Sequence, residues 1–204
     1  PEGCPTMRQA MDLAVIFSAR NECTRENPVQ VKLGEGQHVM GVGAGYAGRL
    51  MHVSCSNITI AGKGKGKTTI LGGFYVNGKQ NVKMEQFCVT NDAGFGLICQ
   101  GSGTHVDVME CCFKLCSDNG MSVCYGATAT ASRCDFMENG ENEAGNGLLC
   151  EGSGTNVEGS GTNVDVTECC FKKCMGCGIA VGNGATATAS RCDITENGKV
   201  GVSG

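Results

Sequence analysis

The stretch GLICQGSGTHVDVMECCFKLC, residues 96–116, decides the fold because it occurs twice. It returns within residues 147–174 as GLLCEGSGTNV…DVTECCFKKC. A second phrase, GATATASRCDFMENG at 126–140, returns as GATATASRCDITENG at 184–198, which is 58 positions later. The start of the first phrase returns after only 51 positions, and the tandem duplication EGSGTNV-EGSGTNV at 151–164 accounts for the difference of 7. Internal repeats of this kind are typical of a solenoid.

Each repeated block contains two smaller units of about 23 residues. Every unit opens on a glycine and carries three apolar-x-apolar pairs separated by short turns. The opening glycines are Gly73, Gly96, Gly120, Gly147, Gly178 and Gly201. The second pairs are Ile58/Ile60, Val82/Met84, Val106/Val108, Ala129/Ala131, Val164/Val166 and Ala187/Ala189. The third pairs are Phe87/Val89, Cys111/Phe113, Cys134/Phe136, Cys169/Phe171 and Cys192/Ile194. Alternation with a period of two marks strands with one inward face, and stacked units of three such strands enclose a continuous core. The sequence therefore predicts an all-β parallel β-helix of about seven coils.

The N-terminal segment has a helical period instead. Residues 5–20 place Met7, Ala10, Met11, Ala14 and Phe17 on one face, and Thr6 is the predicted N-cap. The open end of a solenoid exposes apolar side chains and strand edges, so a capping helix is expected there. The sequence predicts one domain over 1–204, with coils from residue 30 onward.

The C-terminal end begins a coil at Gly201 that Gly204 does not complete. We expect this coil to continue or to be covered, and end-to-end or edge association is the predicted interaction at this end.

Three segments together resemble the opening of pectin-lyase-like right-handed β-helix proteins. They are the helix, VQVKLGEGQHV (29–39) and SNITIAGKGKGKTTILGG (56–73). The repeated coils resemble the carbohydrate-binding and sugar-hydrolase-type repeats of that superfamily. The resemblance implies a right-handed helix and a saccharide ligand or substrate, while fold alone does not specify an activity.

Composition excludes two classes of partner. The net charge is −4 and the pI is about 5.4, so the chain has no basic surface for nucleic acid. Its longest apolar run, residues 13–17, is far too short to span a bilayer.

Two glycine-rich segments resemble nucleotide-binding loops without their context. Residues 61–68, AGKGKGKT, come close to a phosphate-binding loop, but a strand-like TTIL follows where a helix is required. Residues 43–48, GAGYAG, match GxGxxG without a surrounding βαβ unit. We interpret both as turns and predict no cofactor.

The 16 cysteines favour buried free thiols over a disulfide framework or a zinc site. Cys99 and Cys150 occupy a coil position that holds Val in other coils, and such a position is an apolar slot. CxxC occurs once, without a second pair at finger spacing, so no metal site is predicted. Cys88 and Cys112 are the exception. They are outward neighbours on adjacent coils, about 4.8 Å apart, a separation compatible with a disulfide.

Polar residues recur at outward positions beside the second pairs. The candidate binding face consists of His105, Asp107, Thr128, Thr130, Asn163, Asp165, Thr186 and Thr188. The weak catalytic candidates are Asp107, Arg133, Asp165 and Glu168, which would line a saccharide groove by analogy with β-helix lyases. A line of alternating sign, Gln86, Glu110, Arg133, Glu168 and Arg191, is also explained by ion pairs that fix strand register.

The leading hypothesis is a non-catalytic binding or scaffold module that uses an outward face, with a polysaccharide or another protein as its partner. The sequence has no Asp-Pro-His as in alginate epimerases and no Asn-Thr-Asp or Gly-His-Gly as in polygalacturonases. A polysaccharide lyase or epimerase is the alternative. Ice binding is third, because the Thr-x-Thr pairs at 128–130 and 186–188 alternate with coils that lack them.

Deletion of residues 151–157 tests the repeat assignment. We expect the shortened protein to fold with equal or slightly higher stability, because the extra residues must leave the wall as a loop and halving a loop changes closure entropy by only about 0.6 kcal/mol. Chemical denaturation of both proteins measures this. A cooperative loss of folding would show that the duplicated residues belong to the wall.

Overall fold

The computed structural model describes residues 6–20, 23–40, 49–141, 145–152, 161–199 and 202–203. Within these ranges one helix, α1 (Met7–Arg20), precedes 21 short strands. In the described part of the chain, α1 has neither the length nor the apolar character of a membrane-spanning helix. The GxGxxG match at 43–48 and most of the duplicated segment at 151–164 lie outside the described residues.

Each strand pairs with the strand three elements later in the sequence, and all these pairs are parallel. Sheet A consists of β1 (Val29–Lys32), β4 (Ile58–Ala61), β7 (Val82–Glu85), β10 (His105–Met109), β13 (Thr128–Ser132), β16 (Asn163–Thr167) and β19 (Thr186–Ser190). Sheet B consists of β2 (Gly36–Val39), β5 (Thr68–Leu71), β8 (Cys88–Thr90), β11 (Cys112–Lys114), β14 (Asp135–Met137), β17 (Cys170–Lys172) and β20 (Asp193–Thr195). Sheet C consists of β3 (Leu50–Val53), β6 (Gly73–Asn77), β9 (Leu97–Gln100), β12 (Met121–Cys124), β15 (Leu148–Glu151), β18 (Ile179–Gly182) and β21 (Val202–Ser203). The predicted parallel β-helix of about seven coils is confirmed.

The core is made of the predicted inward pairs stacked coil on coil. In sheet A, Val106 lies between Val82 and Ala129 in register. In sheet B, the rings of Phe113 and Phe136 stack with centroids 5.3 Å apart, and those of Phe136 and Phe171 are 4.7 Å apart. All three rings are fully buried. Stacking adds to the area that each aromatic ring buries.

Cysteines fill inward positions as the sequence predicts. Val76, Cys99, Val123 and Cys150 are register partners in sheet C and all are fully buried. No disulfide joins any two of the 15 cysteines of the described residues.

The corner between sheets A and B is formed by one residue per coil with a positive φ. Those residues are Gln86, Glu110, Arg133, Glu168 and Arg191, with φ between 52° and 60°. A non-glycine residue in this region costs about 1–2 kcal/mol, and these side chains project outward and bond one another along the solenoid. The alternating line of charge therefore lies at the bend of the chain.

A second corner, after sheet B, is held by the buried Asn139 and the half-buried Asn197. Asn139 accepts a hydrogen bond from the backbone of Cys116 at 3.1 Å and donates one to the carbonyl of Phe113 at 3.0 Å. Asn197 bonds Cys174 and Phe171 in the same way. Cys116, Asn139, Cys174 and Asn197 therefore share one corner position and are joined along the solenoid by these hydrogen bonds.

The capping helix is confirmed, with one correction to its buried face. Thr6 caps it, because its hydroxyl accepts a hydrogen bond from the backbone of Gln9 at 3.2 Å. The helix packs on β1, the edge strand of sheet A. Met7, Met11 and Ala14 are buried there, whereas Phe17 is 54% exposed. The predicted apolar face therefore extends beyond the buried stripe, which Met7, Met11 and Ala14 form without Phe17.

Phe113→Ala is expected to lower the free energy of unfolding by about 3–5 kcal/mol, because it removes a ring packed between two coils. Arg133→Ala is expected to cost under about 1 kcal/mol, because exposed ion pairs are weak. Chemical denaturation compares the two variants. Equal losses would mean that the inward and outward positions are shifted by one residue.

Thiol titration tests the state of the cysteines. A thiol reagent is expected to modify few groups in the folded protein, led by the partly exposed Cys23, Cys170 and Cys192. Denaturation without reductant is expected to release most of the 16, because burial keeps a thiol protonated and out of reach. Mapping of eight disulfides by mass spectrometry would contradict this expectation.

Candidate functional site

The outer surface of sheet A brings the predicted binding residues together in two files. A file is a row of register partners, one per coil, that runs along the solenoid axis. The first file consists of Asn57, Asn81, His105, Thr128, Asn163 and Thr186. The second file consists of Thr59, Lys83, Asp107, Thr130, Asp165 and Thr188. We call this surface the sheet A face. All eight residues proposed from the sequence lie on it, because positions two apart on a strand point to the same side.

Hydrogen bonds join neighbouring coils within both files. The Thr130 hydroxyl donates to the Asp107 carboxylate at 2.7 Å, and the Thr186 hydroxyl donates to Asn163 at 2.9 Å. The His105 ring lies 2.9 Å from the Thr128 hydroxyl through Nδ1 and 3.3 Å from Asp107 through Nε2. The files are thus ordered before any ligand arrives.

The corner residues add a third line of polar groups beside the sheet A face. Arg133 pairs with Glu110 at 3.1 Å, and Arg191 pairs with Glu168 at 2.9 Å. Hydrogen bonds from Gln86 and Arg133 lower the pKa of Glu110 below its ordinary value. This carboxylate is therefore held in its ionised form.

The four catalytic candidates occupy one side of the solenoid, but the bonds that the described residues show for three of them go to other partners and not to one another. Arg133 is engaged by Glu110 and Glu168 by Arg191. Asp107 accepts the Thr130 hydroxyl, and Asp165 is exposed. Such an arrangement binds hydroxyl groups well, whereas acid–base catalysis requires two groups whose environments push their pKa values apart.

A cleft of about 450 Å³ opens at the N-terminal end of the first file. Asn57, Asn81, His105 and Thr128 line it from the file, and Arg25 and Gln80 line it from the flanking loops. The Asn81 amide donates to Asn57 at 3.1 Å, and the Asn57 amide donates to the backbone of Cys23 at 2.7 Å. These bonds attach the segment after α1 to the coils and shape the wall of the cleft.

Sequence reasoning included two cleft residues, His105 and Thr128, and missed the others, although a signal was present for two of those. Asn57 and Asn81 precede the apolar pairs Ile58/Ile60 and Val82/Met84, as His105 precedes Val106/Val108. Extending the first file by two coils would have included them. Both asparagines have a positive φ, near 54° and 52°, which asparagine tolerates better than most residues. Nothing in the local sequence places Arg25 beside them.

Cys88 and Cys112 lie elsewhere, on the outer surface of sheet B, and are register partners as the sequence predicts. The structure holds both as free thiols. Among the described residues, no group of three or more His, Cys, Asp or Glu side chains is arranged to hold a metal ion. Residues 61–68 form the end of β4 and a turn into β5, without a following helix, so they are not a phosphate-binding loop.

Comparison with solved structures finds the same fold in longer proteins. ORF18 of Geobacillus virus E2 matches with a TM-score of 0.60 and 12% identity, over 80% of this chain and 34% of that one. Pectate lyase Pel9A matches with a TM-score of 0.50 and 11% identity, over 83% of this chain and 46% of the lyase. This chain therefore spans about a third to a half of the length of these neighbours. No family model matches the sequence, and no curated protein matches it. At such identities the likeness shows the parallel β-helix alone, which confirms the predicted resemblance for the fold.

Proposed function

We propose that this chain is a non-catalytic polysaccharide-binding module and that its ligand lies along the sheet A face. The observation that carries the proposal is the two-coil period of the files. From β10 to β19 the outward pairs read His105/Asp107, Thr128/Thr130, Asn163/Asp165 and Thr186/Thr188. The same kind of polar pair therefore returns on every second coil.

The spacing of the coils suits a linear sugar polymer. Adjacent parallel strands are about 4.8 Å apart, which is comparable with the length of one pyranose ring, and two coils span about 9.6 Å. A polysaccharide whose rings alternate in orientation presents the same hydroxyl groups on every second ring. Laid along the solenoid axis, it would meet a chemically equivalent pair of side chains at each repeat.

The side chains have the chemistry that hydroxyl groups require. Carboxylates accept hydrogen bonds, and amide and hydroxyl side chains both donate and accept. The pairs Glu110–Arg133 and Glu168–Arg191 each cancel their charge, which leaves Asp107 and Asp165 as the acidic groups of β10 and β16. Lys83 in the second file offsets one of these two carboxylates, so the file keeps a net negative charge that would repel a polyuronate, and we expect a neutral polysaccharide.

The bonding of the acidic groups favours binding over catalysis. Glu110 is kept ionised by its neighbours, and Asp107 accepts a hydrogen bond from Thr130. A general acid requires a carboxyl group whose pKa is raised by burial or by a close like charge. The cleft beside His105 supplies a pocket for a side branch or a chain end, with amide and guanidinium donors on its wall.

A binding experiment tests the proposal with one matched pair of variants. Asp165 and Asp193 are both exposed aspartates on outward strand positions, but they lie on sheets A and B respectively. Asp165→Ala is expected to weaken binding to a neutral linear polysaccharide about tenfold or more, because a hydrogen bond to a charged group contributes about 1.5–3 kcal/mol. Asp193→Ala is expected to bind like the unchanged protein. Affinity electrophoresis against neutral and acidic polysaccharides, followed by calorimetry on any hit, measures both.

Three results would contradict the proposal. Equal weakening by the two variants would move the ligand off the sheet A face. Binding confined to acidic polymers would contradict the charge argument. Release of shortened or unsaturated sugar products from a bound polymer, lost in Asp165→Ala, would show a lyase-type enzyme in place of a binding module.

A further inference from the structure

The outer surface of sheet B carries a file of reactive side chains that differs from the sheet A face. Its register partners in successive coils are Thr69, Cys88, Cys112, Asp135, Cys170 and Asp193. Cys88 and Cys112 are adjacent in this file, whereas Asp135 separates Cys112 from Cys170. The other occupants are polar, so this outward position is not the apolar slot that accounts for the inward cysteines.

The adjacent thiols point outward and yet are buried, at 2% exposure for Cys88 and 5% for Cys112. The loop between β4 and β5 accounts for this. Its Gly64 amide donates to the carbonyl of Gln86 at 2.8 Å, which holds the loop at the corner beside β8. From there Lys65 reaches Asp135 and forms an ion pair at 2.5 Å.

The Lys65 side chain therefore passes over the coils of Cys88 and Cys112. Partial burial opposes the charge of Lys65, but the hydrogen bond and charge of Asp135 outweigh it and raise the pKa of this lysine. Lys65 is thus an ammonium close to the Cys112 sulfur, and its bond to Asp135 remains partly open to solvent, with 42% of the Lys65 side chain exposed. This solvated ion pair is one of the contacts that hold the loop over the two thiols.

We propose that Cys88 and Cys112 are a redox site, a thiol pair that closes reversibly to a disulfide when a small disulfide oxidant such as glutathione disulfide passes the Lys65 cover. Their strands are neighbours and their Cα atoms are register partners. The strand spacing of about 4.8 Å lies within the Cα separations that disulfides span, about 4.4–6.8 Å. Closure therefore needs side-chain rotation and no shift of the backbone.

The surroundings divide the two thiols into an attacking and a resolving group. A hydrogen bond from the Cys112 thiol and the charge of Lys114 lower the pKa of Cys88, although burial opposes them. The same pairing and burial raise the pKa of Cys112. The thiolate is the nucleophile in disulfide exchange, so Cys88 reacts first.

The exchange balances in two steps. The Cys88 thiolate attacks one sulfur of the oxidant, which forms a mixed disulfide and releases one glutathione thiolate. Cys112 then loses its proton to solvent and attacks the Cys88 sulfur, which forms the Cys88–Cys112 bond and releases the second glutathione thiolate. Two electrons pass from the protein to the oxidant, and excess glutathione reverses both steps.

Other cysteines of the chain serve as controls, one pair for access of the oxidant and one residue for the distance between thiols. Cys134 and Cys169 are also close together, since the Cys134 backbone amide donates a hydrogen bond to the Cys169 sulfur at 3.4 Å. Both residues, however, lie in the core. Cys170 lies in the outward file, two coils from Cys112 and so about 9.6 Å away, beyond disulfide reach. An oxidant that enters without unfolding the coils is expected to link only Cys88 and Cys112.

The native protein, reduced and then freed of reductant, is equilibrated with glutathione buffers of increasing oxidised fraction. Free thiols are blocked by alkylation during denaturation. Combined cleavage after glutamate and lysine cuts at Glu85, Glu110 and Lys114, which separates Cys88 from Cys112. The expected product is peptide 86–110 joined to peptide 111–114, with fragment ions that place the bond on Cys88 and Cys112. Cys134 and Cys169 stay alkylated, and excess glutathione removes the link.

Three variants sharpen the result. Cys88→Ser is expected to lose the linked peptide, and Cys170→Ser is expected to keep it. Lys65→Ala is expected to form the link faster. The increase is expected to be at most about fivefold, because an exposed ion pair contributes no more than about 1 kcal/mol. Lys63→Ala in the same loop is the matched control and is expected to react at the original rate.

Two outcomes would overturn the proposal. The first is a native protein that never forms the link while Cys170 becomes modified by glutathione. The second is equal oxidation of Cys134 and Cys169, which would mean that oxidation follows unfolding. A Lys65→Ala rate equal to that of Lys63→Ala would overturn the role given to Lys65. Because the thiol file and the sheet A face lie on different sheets, none of these results depends on polysaccharide binding.

Discussion

Parallel pairing between each strand and the strand three elements later is the constraint on which the rest of the structure depends. It fixes the coil spacing at about 4.8 Å and repeats one inward pattern in every coil. A slip of one residue would turn buried Phe113 outward and half-buried Lys114 inward, so register is strongly specified. An insertion such as the seven extra residues of the duplicated segment is compatible with this constraint only between strands, here between β15 and β16. The chain changes direction at the corners between strands, and residues with a positive φ such as Glu110 and Arg133 lie there.

The same constraint converts a repeat in sequence into a repeat in space. A block of two coils was copied, so the outward pair His105/Asp107 recurs in kind as Asn163/Asp165. Between them lies Thr128/Thr130, whose hydroxyls bond the preceding coil. A solenoid with a one-coil repeat would present a uniform surface, whereas this one presents a surface with a period of about 9.6 Å. That period is the reason for proposing a polymer ligand, because a small molecule would gain nothing from it.

The sequence predicts well those features that follow from periodicity, and it fails where distant segments meet. Inward pairs such as Val106/Val108 and the asparagine corner at Asn139 follow from the coil alignment alone. The exposure of Phe17 does not, because it depends on how much of α1 a single edge strand can cover. The position of Arg25 beside the first file depends on where the chain goes after α1. Lys65 was placed correctly in a turn, but its reach across the coils to Asp135 is invisible in the sequence.

The contrast between inward and outward cysteines explains how so many thiols coexist without becoming cross-linked. Burial raises the pKa of Cys111 and of Cys116 to about 12, so these thiols stay protonated. Packing also keeps oxidants away from them, which is why a thiol serves as well as valine in the core. The Cys88–Cys112 pair is nearly as buried, at 2% and 5% exposure, but it lies on the outer surface of sheet B, beside the Lys65–Asp135 ion pair. On the proposed redox role, reactivity in this chain depends on what lies over a thiol pair and not only on the distance between the two sulfurs.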